Sequence, residues 1–380
     1  MDATYKKRMD LCMKKKLFLI GVSFCLITSV RAVGFVREYI APPVKGQVHA
    51  STVVEIENGY FVAWFEGSKE SAADVSIKGA ARIGGKWSEK RVIAKVNEES
   101  PHWNPVLRKA DDGRLCLYFK VGRNCSDWRT YTMESFDQGK NWSAPRELVQ
   151  GDVSGGRGPV KNKCLQLFSG RLLAGASREF DPSSMELKML WRSFVDISDD
   201  DGRTWRRSQL FPVPENMPSW GEGKPFGVIQ PTLWEDGKGV HALLRSTDGW
   251  VWRTDSVDSG ETWNICRRTS LQNLNSGLDC VYASDNKLYL VLNGPSRVTR
   301  PGGWGPRDHL EIMVSPDSGE SWNSFMVLEN GKGKKTDAPW VEYSYPAIIE
   351  SRSGSLIVTY TSKRKQICFC EILLCSKKKD

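Results

Sequence analysis

Four stretches of this chain share one pattern: Ser135-Phe-Asp-Gln-Gly-Lys-Asn-Trp142, Ser198-Asp-Asp-Asp-Gly-Arg-Thr-Trp205, Ser256-Val-Asp-Ser-Gly-Glu-Thr-Trp263 and Ser315-Pro-Asp-Ser-Gly-Glu-Ser-Trp322. Each reads Ser-x-Asp-x-Gly-x-(Thr/Ser/Asn)-Trp, the chemistry of a hairpin corner. The Asp accepts backbone N–H groups across the turn, the Gly takes a positive φ, and the Trp buries a large ring against the next unit. A degenerate fifth copy, Gly-Gly-Lys-Trp, ends at Trp87. The five tryptophans are spaced 55, 63, 58 and 59 residues apart.

A period near 58 exceeds the 40 to 50 residues of common four-stranded propeller blades and leaves room for one long loop per blade. Strand-like runs such as Tyr60–Phe65, Leu115–Phe119, Leu288–Leu292 and Leu356–Tyr360 fall between the corners. The fold expected is all-β, a six-bladed β-propeller whose last blade is completed by both chain ends. Residues 33–380 would form that single domain.

The remaining features describe the chain's surroundings. Lys14-Lys15-Lys16 precedes the apolar run Leu17–Val30, and Val30-Arg31-Ala32 has the form of a cleavage site. The run is 14 residues, shorter than the roughly 20 that span a bilayer. Residues 1–32 therefore read as a cleaved signal peptide, and the mature protein as periplasmic or secreted without a membrane span. Of the net charge of +9, +5 lies in that leader. The +4 left over is too diffuse for nucleic-acid binding. The eight later cysteines have no zinc-ligand spacing, and buried thiols are expected; neither a metal nor a cofactor is indicated.

The four corners resemble the Asp-boxes of the sialidase superfamily, and the resemblance covers nearly all of residues 33–380. It assigns Asp137, Asp200, Asp258 and Asp317 to structure. It also implies a central site made of arginines that hold a substrate carboxylate, an aspartate acid/base, and a tyrosine nucleophile activated by a glutamate. An anionic sugar would repel a carboxylate nucleophile, which a phenol avoids.

Residue by residue, Arg307, ahead of Leu310-Glu-Ile-Met-Val-Ser315, fits the last carboxylate-binding arginine. Arg245, in Ala242-Leu-Leu-Arg-Ser246, fits the middle one. A planar guanidinium binds a carboxylate through two parallel N–H groups, which lysine cannot do. Asp74 fits the acid/base, and Tyr343 or Tyr345, in Glu342-Tyr-Ser-Tyr-Pro346, fits the nucleophile. By strand alternation the two phenols would share a face and Glu342 would point away. The sequence departs from the pattern twice. His49 stands where the first arginine is expected, and Gln230 stands where the activating glutamate is expected.

The segments His49–Ile56, His102–Leu107, Gly158–Lys163, Ile229–Glu235, Leu274–Asp279 and Glu342–Ile349 resemble the bacterial branch of BNR-repeat sialidase-like proteins. That resemblance adds Trp103, Asn104, Lys161, Asn162, Asn275 and Asp279 as pocket residues. It implies an exported hydrolase that removes a terminal acidic sugar from a glycan or glycoconjugate. A propeller polysaccharide lyase using His49 and Tyr343 or Tyr345 on a uronate, and a non-catalytic glycan-binding propeller, remain alternatives.

Overall fold

The computed structural model describes residues 32–179, 190–215, 226–294, 305–331 and 341–374. The expected leader, apart from Ala32, and Cys375 lie outside them. The chain enters on β1 (Ala32–Tyr39). It then builds a first sheet from β2 (Gln47–Ile56), β3 (Gly59–Gly67) and β4 (Ser76–Ile83), with the short β5 (Lys86–Trp87) and β6 (Arg91–Ala94) both on β4. A second sheet holds β7 (His102–Lys109), β8 (Leu115–Val121), β9 (Arg129–Ser135) and β10 (Arg146–Glu147).

The largest sheet contains two antiparallel runs. One is β11 (Leu165–Gln166), β12 (Leu172–Arg178), β13 (Leu190–Ser198) and β14 (Arg206–Arg207). The other is β15 (Phe226–Asp236), β16 (Gly239–Ser246), β17 (Trp250–Ser256) and β18 (Arg267–Gln272). A two-residue parallel bridge, Leu190 with Phe226 and Trp191 with Gly227, joins them. Next come β19 (Asp279–Tyr282), β20 (Leu288–Leu292), β21 (His309–Ser315) and β22 (Asn323–Asn330). The last sheet is β23 (Tyr343–Glu350), β24 (Leu356–Ser362) and β25 (Gln366–Leu374), and β1 from the opposite end of the chain pairs antiparallel with β25.

The arrangement is propeller-like. The inner strands pack side by side: β2 lies against β7 and β23, β12 against β15, and β19 against both β15 and β23. No α-helix occurs among the described residues, so none there could cross a membrane.

The repeated corners hold the sheets together as the sequence suggests. In the first, Ser135 Oγ donates to Asp137 Oδ1 at 2.9 Å, and Asp137 in turn accepts the Asn141 N–H at 2.8 Å and the Asn141 side chain at 2.6 Å. Gln138 and Gly139 both adopt positive φ, 63° and 87°. At Gly139 the requirement is also spatial, because a Cβ would come within 2.7 Å of the Phe61 ring on the first sheet. Four of the five corner tryptophans meet an aromatic ring of the preceding unit. Trp142 meets Phe61 at 5.8 Å, Trp205 meets Tyr118 at 6.2 Å, Trp263 meets Phe211 at 4.4 Å, and Trp87 meets Phe369 of the last sheet at 5.3 Å. The cysteines Cys116, Cys125, Cys164, Cys266, Cys280, Cys368 and Cys370 are free thiols.

Candidate functional site

One irregularity recurs at the start of four inner strands. The register slips between His49 and Thr52 on β2, Trp103 and Val106 on β7, Ile229 and Thr232 on β15, and Ser344 and Ala347 on β23. Inside each slip one non-glycine residue is left-handed: Ala50 (φ 55°), Asn104 (39°), Gln230 (57°) and Tyr345 (53°). Asn275, just ahead of β19, has φ 52°. Such a bulge ends the two-residue alternation and re-aims the side chain. The expectation that Tyr343 and Tyr345 share a face fails for this reason. Tyr343 enters the core of the last sheet beside Ile348 and Tyr360, whereas the Tyr345 ring lies 4.1 Å from that of His49.

Around Tyr345 the strands bring together residues far apart in sequence. Its hydroxyl oxygen accepts from Arg245 Nη1 at 3.0 Å and from Gln230 Nε2 at 3.2 Å. Both arginines are tied to Asn275: Arg245 Nε donates to its side-chain oxygen at 2.6 Å, and Arg307 Nη2 donates to its carbonyl at 3.3 Å. The Arg307 guanidinium lies 5.6 Å from the Tyr345 ring centre, and that of Arg245 lies 5.3 Å from the Trp191 ring. His49, almost fully buried, has Nδ1 2.9 Å from Thr361 Oγ1.

A chain of ion pairs continues outward. Arg307 Nη1 donates to Glu342 Oε1 at 3.3 Å, Arg364 Nε to Glu342 Oε2 at 2.9 Å, and Arg364 Nη1 to Glu70 Oε2 at 2.6 Å. Glu342 therefore faces the cluster, contrary to the alternation argument. It lies one residue ahead of β23, before regular pleating begins.

Cations dominate the electrostatics. Burial, reinforced by Arg364, Arg307, Lys161 and Arg245, holds the His49 imidazole well below its ordinary 6.5, so the ring is neutral at neutral pH. Burial also pushes the Lys161 ammonium down to about 7, against the attraction of Asp279. Glu342 behaves in the opposite sense: burial raises it, but Arg364 and Arg307 outweigh burial and hold the carboxyl below the usual range. Glu179, which follows β12, is raised above its ordinary 4.5 by burial, with Glu70 adding to the shift and Arg245 opposing it.

The structure thus brings together His49, Gln230, Arg245, Asn275, Arg307 and Tyr345. Lys161, Asn162 and Asp279 lie beneath them as internal pegs. Lys161 Nζ donates to the carbonyls of Leu278, at 3.1 Å, and Pro346. Asn162 Nδ2 donates to the carbonyl of Gln230 at 2.9 Å. The Asp279 carboxylate accepts from Lys163 Nζ at 3.0 Å, Thr232 Oγ1 at 2.7 Å and the Ile348 N–H at 2.9 Å. Trp103 extends the ring contacts from His49 through Phe65 (5.6 Å, then 6.1 Å) to Trp128 (5.6 Å), and its Nε1 donates to the Gly122 carbonyl; Asn104 is buried beside it. Asp74 does not join the cluster. It is exposed, with one oxygen accepting the Ser68 N–H and the other the Ser68 hydroxyl, both at 3.0 Å, so it closes its own loop.

Sequence reading missed Glu70, Glu179, Trp191, Glu342 and Arg364. One signal was available for Arg364. It occupies a two-residue turn that carries Lys-Arg where Asn-Gly would be expected. Among the described residues no group of three or more His, Cys, Asp or Glu side chains could hold a metal ion.

Known proteins agree with this fold. The sequence profile of the BNR repeat-like domain family matches residues 59–358. No protein of curated function matches the sequence. Among solved structures, a protein of unknown function from Dyadobacter fermentans superposes with a TM-score of 0.68 at 18% identity, covering 91% of this chain and 100% of that one. The Hadza microbial sialidase Hz136 gives 0.65 at 15% identity, with 86% of this chain and 66% of the sialidase covered. The Trypanosoma rangeli sialidase gives 0.62 at 14% identity, with 90% and 60% covered. The chain thus spans about two thirds or less of the length of these two sialidases.

Proposed function

The chain belongs to the BNR repeat-like domain family, within the sialidase superfamily, and from that premise we propose a glycan-active hydrolase that removes a terminal acidic sugar. The reading includes a closed six-bladed propeller for residues 33–380 and export through cleavage of residues 1–32. The observation that carries it is the meeting of Arg245 and Arg307, from different sheets, at Asn275 and Tyr345. Two guanidinium groups beside one phenol suit a sugar whose carboxylate must be fixed next to its anomeric carbon.

In this scheme Arg245 and Arg307 hold the carboxylate, and Trp103 and Asn104 flank the sugar. Glu179, whose carboxyl is raised above its ordinary value by burial, gives its proton to the leaving oxygen as the glycosidic bond breaks. Asp74 would reach that role only by releasing Ser68. Tyr345 attacks the anomeric carbon as its proton passes to water, and a second water later releases the sugar and returns a proton to the phenol. The N–H groups of Arg245 and Gln230 that point at the Tyr345 oxygen stabilise the phenolate formed when its proton leaves, whose third lone pair makes the attack.

A second reading, β-elimination from a uronate, is favoured by one feature. Gln230 presents an N–H to Tyr345 where a hydrolase of this type would present a carboxylate. Neutral His49 and Tyr345 would then move the protons while the arginines stabilise the enolate.

One assay separates the readings. The purified chain is incubated with a sialoside and with a uronate-terminated oligosaccharide. Free acidic sugar supports hydrolysis, and ultraviolet absorbance from an unsaturated uronate supports elimination. Glycan binding by wild type and Tyr345→Phe alike, with no product from either, would overturn both in favour of a binding propeller.

A further inference from the structure

The hairpin between β24 and β25 is built at a conformational disadvantage. Lys365 N–H closes it on the Ser362 carbonyl at 3.0 Å, and its central residues, Lys363 and Arg364, are both left-handed, with φ of 54° and 57°. Long side chains are disfavoured there, and Asn-Gly is the usual solution. The backbone of the turn is also a joint: the Arg364 carbonyl accepts the Val48 N–H at 2.9 Å, and Lys363 N–H donates to the Glu342 carbonyl at 2.6 Å. An Asn-Gly turn could make both of those bonds. What it could not supply is the Arg364 guanidinium, which reaches Glu342 ahead of β23 and Glu70 in the 68–75 loop of the first sheet.

We propose that Arg364 is a positioning residue, held in a strained turn so that its guanidinium clamps Glu70 and Glu342 and fixes the 68–75 loop against the strand bearing Tyr345. This inference rests on the functional reading above only in taking that cluster as the site. The far end of loop 68–75 is held by Lys95 Nζ on the Ala73 and Val75 carbonyls and by the buried Val75 side chain. Its near half is held at Glu70, whose N–H also donates to the Gln47 side-chain oxygen Oε1 at 2.8 Å.

Hydrogen exchange of the ligand-free protein tests it without any assumed activity. Arg364→Gly keeps the turn and deletes the clamp; Glu70→Gln keeps the turn and weakens one arm. Arg364→Gly should speed amide exchange in residues 68–75 by about tenfold and Glu70→Gln by less, and the double variant should match Arg364→Gly, because one interaction is being removed twice. Arg364→Lys, which contacts one carboxylate at a time, should fall between Arg364→Gly and wild type. If Glu70→Gln leaves the loop unchanged, or if the two effects multiply in the double variant, the clamp is overturned. Where the wild type turns over a glycan, Arg364→Gly should lower kcat about tenfold with KM within about twofold. A wild type without turnover would sink the enzymatic reading and leave the exchange result to stand or fall alone.

Discussion

Arg245 donates to the Tyr345 hydroxyl across 3.0 Å, although the two residues are 100 positions apart and belong to different sheets. Tyr343, two residues from Tyr345, lies in the core. The proposed chemistry therefore calls on one phenol and not on the other.

Tyr345→Phe deletes only the oxygen that receives Arg245 and Gln230. Turnover should drop by at least about 100-fold, the scale of losing a group that takes part in the chemical step as nucleophile or proton carrier. Tyr343→Phe should leave kcat within about twofold and change stability by less than about 1 kcal/mol. Parallel kinetics and melting curves check this, and equal losses of turnover in both variants would contradict it.

Glu179 must carry its proton to act as the acid. Its raised folded value means that activity should persist at pH values where an ordinary glutamate, near 4.5, is already ionised, then fall as pH rises through the shifted value. Glu179→Gln should remove that alkaline limb and lower the plateau. Arg245 opposes the shift, so Arg245→Ala should move the limb to higher pH in whatever activity survives.

The corner aspartates predict how the fold responds to acid. Asp137 is held down to about 2, chiefly by the Asn141 N–H; Asp200 is also held to about 2, where its hydrogen bonds with Thr204 overcome burial. A carboxyl depressed in the folded state contributes stability that is fully present above its unfolded value, 3.8, and is lost as pH falls through 2. Denaturant midpoints should fall across that window, and more shallowly in Asp200→Asn, whose midpoint at neutral pH is already lower.

The seven described thiols make no disulfide, and burial pushes Cys266 and Cys280 up to about 12. A thiol-directed reagent should leave both unmodified until the protein is unfolded. A reductant should leave the melting temperature of the described fold unchanged. Prompt modification of either cysteine in the native protein would contradict this packing.

The corners, and through them the sheets, are legible in the order of the amino acids because each corner closes through hydrogen bonds within four or five residues. Ser135, Asp137 and Asn141 need no distant partner to form their turn, and the tryptophan that follows needs only a neighbouring sheet to pack on. Arg245, Arg307, His49 and Gln230 are also recognisable, but through the resemblance to the sialidase superfamily, which attaches a role to each place relative to a corner or an inner strand. Strand alternation, which is equally local, misjudged Glu342 and the tyrosine pair, because the bulge at Tyr345 and the start of β23 re-aim those side chains.

Which charges meet follows from three-dimensional packing. Glu70, Glu179, Glu342 and Arg364 come from separate segments that carry no shared motif. Their hydrogen bonds and fields depend on sheets converging at their inner strands, which no stretch of sequence can express. Asp74 marks the same boundary from the other side: its residue type and position suit an acid, and a local bond to Ser68 keeps it out of the cluster.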